Sequence, residues 1–245
     1  MIRVEGLHKK FGFSKVLAGV DLAVPQGCLY GLIGPPASGK SVLLKMLTGL
    51  MRPDRGRVEV AGQDIHKLSD LELQKFRTRI GIAFQNNALF DYMTVGENIA
   101  FPLRRLFDLD EAEIARRVAE RLRNVSLPGF EERMPSGLSG GQKKRVGVAR
   151  ATVAQAEIVL YDEPAAGLDP VTSQRIFELL LAEQRSAGAT VIMVSSDLDR
   201  LLSVTDRVGM LLDGRIVFDG STAEAKTCTV PVVRQFVHGL TEGPL

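Results

Sequence analysis

Three short polar segments of this 245-residue chain combine residue types that could bind and cleave a phosphate anhydride. The first is Gly-Pro-Pro-Ala-Ser-Gly-Lys-Ser at residues 34–41, the second is Leu-Ser-Gly-Gly-Gln at residues 138–142, and the third is the pair Asp162-Glu163. Glycine-rich turns, a lysine, hydroxyls and carboxylates are the groups that phosphoryl transfer requires. The segments therefore predict a site for ATP and Mg²⁺.

Residues 34–41 fit the pattern G-x-x-x-x-G-K-[ST] of a phosphate-binding loop. A strand predicted at residues 29–33 precedes them and a helix predicted to begin near Ser41 follows, so backbone N–H groups and the positive helix end would face the phosphates. Pro35 and Pro36 have no N–H to donate. The expected cradle consists of Gly34 at the start of this phosphate loop and of Ala37, Ser38, Gly39, Lys40 and Ser41 at its end.

Two side chains of the phosphate loop are expected to act directly on the nucleotide and its metal ion. The Lys40 ammonium would reach the β and γ phosphates, and the Ser41 hydroxyl would ligate Mg²⁺. The alternative is an ordinary strand-to-helix turn that binds nothing.

The carboxylate pair follows an apolar run at residues 158–161, a pattern typical of a buried strand. Asp162 would complete the Mg²⁺ shell, and Glu163 would act as a base or orient the attacking water. The alternative is that the two acids cap the following helix.

Residues 138–142, the signature segment, are the most specific of the three signals and precede a helix that runs through Arg150. The adjacent glycines Gly140 and Gly141 would let a phosphate held by another chain approach the backbone.

The elements that must position these segments alternate along the chain. Short apolar runs predict buried, mainly parallel strands at residues 29–33, 80–84, 158–161 and 190–194. Antiparallel strands between Gly and Pro turns are predicted at residues 2–4, 17–24 and 57–60. The predicted fold class is α/β, with a mixed-sheet core and an antiparallel β region near the N-terminus.

Strand signals stop between Asn86 and Glu157, where helical spacing takes over. Apolar residues at every fourth position predict a helix over residues 110–124, and Thr94 with Glu97 predicts a capping box. The tail is expected to form a small helix or to fray. The predicted domains are a nucleotide-binding core at residues 1–86 and 157–222, a helical subdomain at residues 87–156 and a C-terminal tail at residues 223–245.

Composition excludes several classes of protein. Lys and Arg total 31 against 29 Asp and Glu, and this net charge of +2 is too small for a chain whose main partner is nucleic acid. No apolar run approaches the roughly 18 residues of a membrane span. The first residues have no signal-peptide core, and Cys28 and Cys228 lie in no metal-binding cluster. A reducing, cytosolic location is expected.

Taken in chain order, the phosphate loop, Gln85, the signature segment, Asp162-Glu163 and residues 167–170 resemble the ATP-binding-cassette (ABC) ATPase family. The resemblance extends from residue 2 to about residue 220. It implies a P-loop NTPase cassette with a RecA-like core and a helical subdomain. It also implies a homodimer in which ATP lies between the phosphate loop of one subunit and the signature segment of the other.

The same resemblance implies roles for further residues. Gln85 would contact Mg²⁺ or the attacking water, and Asp169 would cross the dimer interface. Phe11 would stack on adenine; Phe13 is the second candidate, and a place in the core is the alternative for Phe11. ATP held by one subunit would meet Ser139, Gly140, Gly141 and Gln142 of the other.

Outside these motifs the sequence is similar to the Mla family, the ATPases of phospholipid transport across the Gram-negative envelope. The similarity lies in FQNNALFDYMTVGENIAFPLR at residues 84–104 and in the tail around residues 233–244. It implies a second copy of the chain, a dimer of an MlaE-like integral permease, and periplasmic lipid-binding subunits with MCE domains. Leu89 and Phe90 would bury against a partner helix, and the alternative is internal packing.

One position departs from the ABC pattern. After the strand at residues 190–194 the pattern has a His that contacts the γ-phosphate, and this chain has Ser196 there. A serine hydroxyl can hydrogen-bond to phosphate but is shorter and uncharged. Whether Ser196 is a natural variant or an engineered change, ATP binding is expected to persist while hydrolysis slows.

The resulting prediction is an ATP-hydrolysing subunit of a phospholipid-transporting ABC complex, attached through its permease to the cytoplasmic face of the inner membrane. Three alternatives are an ABC ATPase that serves another substrate, a soluble ABC protein acting on ribosomes or DNA, and a regulatory subunit that binds ATP without cleaving it. The near-neutral charge argues against the second alternative, and Glu163 argues against the third.

Overall fold

The chain forms two units in a computed structural model that describes all 245 residues. Unit 1 comprises residues 1–73 and 190–245, and unit 2 comprises residues 74–189. No helix in either unit is both long enough and apolar enough to cross a bilayer.

The N-terminal strands of unit 1 form an antiparallel sheet. They are β1 (Ile2–Phe11), β2 (Ser14–Val24), β4 (Arg55–Val60) and β5 (Gln63–Asp64), in the order β2-β1-β4-β5. Ile2 of β1 lies between Val24 and Val60 on the neighbouring strands, and all three side chains are buried. Such cross-strand contacts between β-branched residues stabilise one apolar face of the sheet.

Four further strands of unit 1 position the phosphate loop. They are β3 (Leu29–Ile33), β8 (Thr190–Val194), β9 (Arg207–Leu212) and β10 (Arg215–Ser221), in the order β10-β9-β3-β8. β3 is parallel to β8 and β9, whereas β10 is antiparallel to β9. Every residue of β3 and β8 is buried, which explains their unbroken apolar runs.

The helices of unit 1 are α1 (Lys40–Leu47), α7 (Leu198–Val204), α8 (Thr222–Thr227) and α9 (Pro231–His238). Helix α2 (Asp70–Phe76) spans the boundary between the units. Pro231 occupies the first turn of α9, and Gly239 ends it in a left-handed conformation. The tail therefore forms two short helices, and the alternative of a frayed end is wrong.

Unit 2 contains one parallel strand pair and four helices. The strands are β6 (Ile80–Ala83) and β7 (Ile158–Asp162). The helices are α3 (Val95–Leu106), α4 (Glu111–Asn124), α5 (Gly140–Thr152) and α6 (Pro170–Ala187), with 3₁₀ turns at Arg77–Arg79 and Pro135–Gly137. The capping box at α3 is confirmed: the Glu97 N–H donates to Thr94 Oγ1 at 3.2 Å, and the Thr94 N–H donates to Glu97 Oε2 at 2.7 Å.

The predicted α/β class with a mixed sheet, an antiparallel N-terminal region and a helical stretch between Asn86 and Glu157 is confirmed. The first strand is much longer than the predicted residues 2–4. Its register shifts between Val4 and Leu7, where Gly6 has a φ of 53°, and this irregularity hides the alternation that marks a strand. The finer domain boundaries at residues 86, 156 and 222 stay a prediction.

Candidate functional site

The predicted site residues fall into two groups, one in each unit. Unit 1 holds the phosphate loop, Phe11, Phe13 and Ser196, and unit 2 holds Gln85, the signature segment, the carboxylate pair and Asp169. The geometry of each group follows from the strands and helices that border it.

The phosphate loop connects β3 to α1 through a turn that requires glycine at two points. Gly34 and Gly39 have φ values of 144° and 103°, which non-glycine residues rarely adopt. A Cβ on Gly34 would lie 2.1 Å from the carbonyl oxygen of Leu211, and a Cβ on Gly39 would lie 2.9 Å from a methyl carbon of Leu17. Neighbouring strands thus leave room only for backbone at these positions of the predicted cradle.

Lys40 folds back over the phosphate loop. Its Nζ donates to the carbonyl oxygens of Gly34 and Pro35, both at 2.8 Å, and to Ser38 Oγ at 3.4 Å. Helix α1 begins at Lys40, so the N–H groups of its first turn belong to the same loop. An ammonium, the Ser41 hydroxyl and helix-terminal N–H groups form a donor set that fits a triphosphate.

Ser196 lies at the sheet edge that carries the phosphate loop. Strands β3 and β8 are parallel, with Leu32 opposite Val194, so the residues after each strand emerge side by side. Ser196 is exposed, whereas the neighbouring Ser195 is buried and its Oγ accepts from the Asp197 N–H at 3.1 Å. The structure therefore brings Ser196 to the phosphate loop.

Two exposed aromatic side chains lie where β1 turns into β2. Phe11 is 47% exposed and Phe13 is fully exposed, so the core alternative for Phe11 is wrong. The Nζ of Lys9 lies 5.7 Å from the Phe11 ring centroid. Strand β2 also borders the phosphate loop, because Leu17 faces Gly39. Both phenylalanines stay candidates for contact with adenine.

The carboxylate pair of unit 2 lies at the end of β7. Asp162 is the last residue of the strand and is 8% exposed. Glu163 follows with a φ of 50°, a left-handed conformation that few non-glycine residues adopt. Because β6 is parallel to β7, Gln85 emerges at the same edge as Glu163. Helix α6 is capped by Asp169, which argues against the alternative that the pair caps this helix.

Lys144 joins the two strand ends of unit 2, although no motif singled it out. It lies on α5 and is 7% exposed. Its Nζ donates to the carbonyl oxygen of Gln85, and to that of Glu163 at 3.2 Å. Burial lowers the pKa of Lys144, and the negative charges of Glu163 and Asp162 oppose that shift.

Arg150 makes a second connection from α5 to the segment after Gln85. Its guanidinium donates to the carbonyl oxygens of Asn87 at 2.6 Å and Ala88 at 2.8 Å. Asn87 and Ala88 have φ values of 59° and 48°. Burial lowers the pKa of Arg150. Lys144 and Arg150 of α5 thus hold the irregular segment at residues 85–88 by its main-chain carbonyls.

Helical periodicity is the sequence signal that could have found Lys144. It is four residues from Val148 and eight from Thr152, and all three are buried on α5. A lysine in a buried helical row is rare unless its ammonium has acceptors.

The signature segment forms the N-terminus of α5. Ser139 Oγ accepts from the Gln142 N–H at 3.3 Å, and Gln142 Oε1 accepts from the Ser139 N–H at 2.9 Å, which is a capping box. Ser139 and Gly140 are exposed. A Cβ on Gly141 would lie 2.8 Å from a methyl carbon of Thr172. Gly141 therefore also lets α5 and α6 approach each other, a role that the sequence did not reveal.

Asp169, predicted at a dimer interface, caps α6. Its Oδ1 accepts from the N–H groups of Val171 at 3.0 Å and Thr172 at 2.9 Å. Hydrogen bonds from Thr172 lower the pKa of the Asp169 carboxyl. The residue is exposed, and its place at an interface stays a prediction.

An apolar groove of about 350 Å³ opens in unit 2 beside α3. Its apolar lining includes Ile82, Phe84, Phe90, Phe101, Pro102 and Leu106. The ring centroids of Phe90 and Phe101 lie 4.8 Å apart. Phe90 is thus packed internally and also lines the groove, whereas the half-buried Leu89 does not line it.

Comparison with known proteins agrees with the order of the motifs. Residues 17–166 match the family model described as ABC transporter. The whole chain is 41% identical over 244 residues to the probable ribonucleotide transport ATP-binding protein mkl of Mycobacterium leprae, covering 70% of that protein. It is 37% identical over 262 residues to protein TRIGALACTOSYLDIACYLGLYCEROL 3, chloroplastic, of Arabidopsis thaliana, again along the whole chain and covering 75% of that protein.

The fold also agrees with a solved structure. A dimeric ATP-binding cassette in a post-hydrolysis state, bound to ADP and Pi, superposes with a TM-score of 0.84 and 31% sequence identity, over 91% of this chain and 99% of that one. This chain therefore belongs to the ABC transporter family, as an ATP-binding subunit that binds ATP with Mg²⁺ and hydrolyses it.

Proposed function

We propose that the chain is the ATPase subunit of a phospholipid-transporting ABC complex of the Mla type. Two copies of the chain dock on a dimer of an MlaE-like permease, which keeps these two copies at the cytoplasmic face of the inner membrane. The same permease holds periplasmic MCE-domain subunits. The observation that carries the proposal is the apolar groove of unit 2. Five of the fourteen residues that line it belong to the segment whose sequence is similar to the Mla family: Phe84, Ala88, Phe90, Phe101 and Pro102.

The chemistry of the groove suits a helix of a membrane-embedded partner. An amphipathic helix places its apolar side chains in such a groove, and exposed apolar surface of this kind marks interaction sites. Arg77 and Arg150 also line the groove. Their positive charges would favour an acidic side chain or the C-terminal end of the partner helix.

A charge placed in the groove should prevent docking. Phe101 is 38% exposed and lines the groove, so Phe101→Asp should lower the amount of permease that copurifies with the chain by about tenfold or more. Tyr92→Asp is the matched control, because Tyr92 is 75% exposed and does not line the groove. Equal permease recovery with both variants would contradict the assignment of the groove.

Copurification of the tagged chain from membranes also separates the functional classes. Recovery of a permease together with an MCE-domain protein supports the proposal. A permease without an MCE protein indicates an ABC ATPase for another substrate, ribosomes indicate a non-transport ABC protein, and no partner at all favours a regulatory ATP-binding subunit.

A second candidate cargo comes from the names of the relatives. The Mycobacterium leprae relative is named for ribonucleotide transport, whereas the name of the Arabidopsis thaliana relative contains that of a glycolipid. A ribonucleotide is the alternative substrate to the proposed phospholipid. A transport assay that offers a ribonucleotide and a phospholipid to the complex shows which of the two it moves.

In the proposed mechanism, the phosphate loop holds the triphosphate. The Lys40 ammonium gives up its hydrogen bonds to the carbonyl oxygens of Gly34 and Pro35 and pairs with the β and γ phosphates instead. Ser41, Gln85 and Asp162 are the residues that would hold Mg²⁺, and the ion would offset the negative charge of the triphosphate. Phe11, or else Phe13, stacks on adenine.

Hydrolysis in this proposal depends on the carboxylate of Glu163. Glu163 accepts a proton from the attacking water, and Gln85 orients that water for in-line attack on the γ-phosphate. As the new P–O bond forms, the bond from the γ-phosphorus to the oxygen shared with the β-phosphate breaks, and ADP leaves with phosphate as the other product. The exposed Ser139 and Gly140 of the second copy close on the γ-phosphate. The contact between the two copies also includes Gly141, Gln142 and Asp169. ATP shifts the dimer toward this closed form and hydrolysis releases it.

Ser196 is proposed to slow turnover, because its uncharged hydroxyl replaces a longer imidazole beside the phosphate loop. Ser196→His should raise the steady-state ATPase rate of the reconstituted complex by about tenfold, since the longer imidazole would bring its donor closer to the γ-phosphate than the hydroxyl does, and a well-placed donor at a developing charge is worth at least that much. The affinity for ATP should change little. An unchanged rate would show that Ser196 does not limit hydrolysis.

A further inference from the structure

Helix α5 connects three parts of the proposed ATPase machinery. Its N-terminal end is the signature segment, and its buried face carries Lys144, whose Nζ donates to the main-chain carbonyls of Gln85 and Glu163. Arg150 adds contacts to the carbonyls of Asn87 and Ala88. All of these contacts lie within unit 2.

We propose that Lys144 is a positioning residue for ATP hydrolysis: its ammonium ties the signature helix to the backbone of Gln85 and of Glu163. When a second subunit closes on the signature segment, the side chains of Gln85 and Glu163 are then set in place at the same time. This inference rests on the roles proposed above for Gln85 and Glu163.

The backbone of the two tethered residues explains why such a tether is needed. Glu163 has a φ of 50°, a sparsely populated conformation that the surrounding structure must maintain. Gln85 is exposed and lies outside any helix or strand, so no ladder of hydrogen bonds fixes it. A donor on each carbonyl restricts rotation of the peptide group and therefore the direction of the side chain.

An apolar side chain would fill the same space at a lower desolvation cost, so packing alone does not explain a lysine here. An ammonium offers three donors, and two acceptors at different strand ends receive hydrogen bonds from Lys144.

Lys144→Met in the full-length chain tests the proposal, because methionine keeps the length of the side chain and removes the donors. The kcat for ATP hydrolysis should fall by about ten- to a hundredfold, as expected for misplacement of reacting groups by around 1 Å. The KM for ATP should stay within about twofold of the wild-type value, since the tether acts on the chemical step. Thr152→Val, which removes the buried Thr152 hydroxyl bond to the Val148 carbonyl on the same helix, is the control and should leave kcat unchanged.

Amide hydrogen exchange supplies a readout that does not depend on activity. In Lys144→Met, exchange should increase at residues 85–88 and 163–166 and stay unchanged in the rest of unit 2. If the methionine variant does not fold, Lys144→Gln keeps a donor and should show the same effects in weaker form.

The proposal is overturned if folded Lys144→Met keeps the wild-type kcat, if only KM changes, or if exchange rises evenly through residues 74–189. A wild-type chain that binds ATP but never hydrolyses it would contradict the proposed function instead. In that case the pattern of hydrogen exchange still decides whether Lys144 positions Gln85 and Glu163.

Discussion

Glu163→Gln should leave ATP binding intact and lower the rate of ATP hydrolysis by about a hundredfold or more. Glutamine has the size and shape of glutamate, so the left-handed backbone at this position need not change. Its amide cannot accept a proton from water, and loss of a general base costs about 10² to 10⁴ in rate. Equilibrium titration with a fluorescent ATP analogue measures binding, and phosphate release measures turnover.

Glu132→Gln is the matched control for this experiment. Glu132 is an exposed glutamate of the same unit, outside every segment assigned to the ATP site, and its substitution should change neither binding nor turnover. If Glu163→Gln hydrolyses ATP at the wild-type rate, the base is another residue. If it fails to bind ATP, Glu163 acts in binding and its proposed catalytic role is wrong.

Gly81→Ala should strongly destabilise unit 2. Gly81 lies in the middle of β6, and a Cβ there would lie 2.0 Å from the carbonyl oxygen of Ala151 on α5. The clashing atom belongs to the backbone, so no side-chain rotation relieves it. Overpacking of this kind costs about 3 kcal/mol or more in the free energy of unfolding. For a chain of this size that lowers the melting temperature by roughly 6–12 °C.

Gly137→Ala is the control for the effect of the added methyl group. No heavy atom lies within 4 Å of a Cβ at Gly137, and its φ is not in the left-handed region. This variant should melt within about 2 °C of the wild type. Equal melting temperatures for the two alanine variants, measured by circular dichroism, would show that α5 can move away from β6.

Displacement of α5 in Gly81→Ala also has a functional consequence. The same helix carries Lys144 and Arg150, which hold the carbonyls of Gln85, Asn87 and Ala88. ATP turnover of the folded fraction should therefore fall together with stability. The absence of a side chain at Gly81 thus contributes to placing the signature helix against the residues that it tethers.

The parts of the site that the sequence predicted are those in which local chemistry determines local structure. The phosphate loop needs glycines at Gly34 and Gly39 and a lysine at the start of a helix, and these requirements are visible within eight residues. The capping box at Thr94 is equally local. Buried parallel strands such as β3 and β8 are visible as continuous apolar runs.

The parts that were missed depend on contacts between residues far apart in the chain. Lys144 is a functional candidate only because β6 and β7 bring the carbonyls of Gln85 and Glu163 to it. The sequence indicates only a ligand-facing role for Gly141, whereas the structure places Thr172 beside it. The burial of Lys144 has a signal in the helical spacing of α5, but its two carbonyl acceptors and the contact between Gly141 and Thr172 follow only from three-dimensional packing.

Phospholipid transport by this chain can be measured as ATP-dependent movement of a labelled phospholipid by the complex, purified with its membrane partners and reconstituted in vesicles. We expect the complex with the wild-type chain, ATP and Mg²⁺ to move the phospholipid, and the complex with Glu163→Gln not to move it. A complex that hydrolyses ATP at full rate while no phospholipid moves would contradict the proposed function.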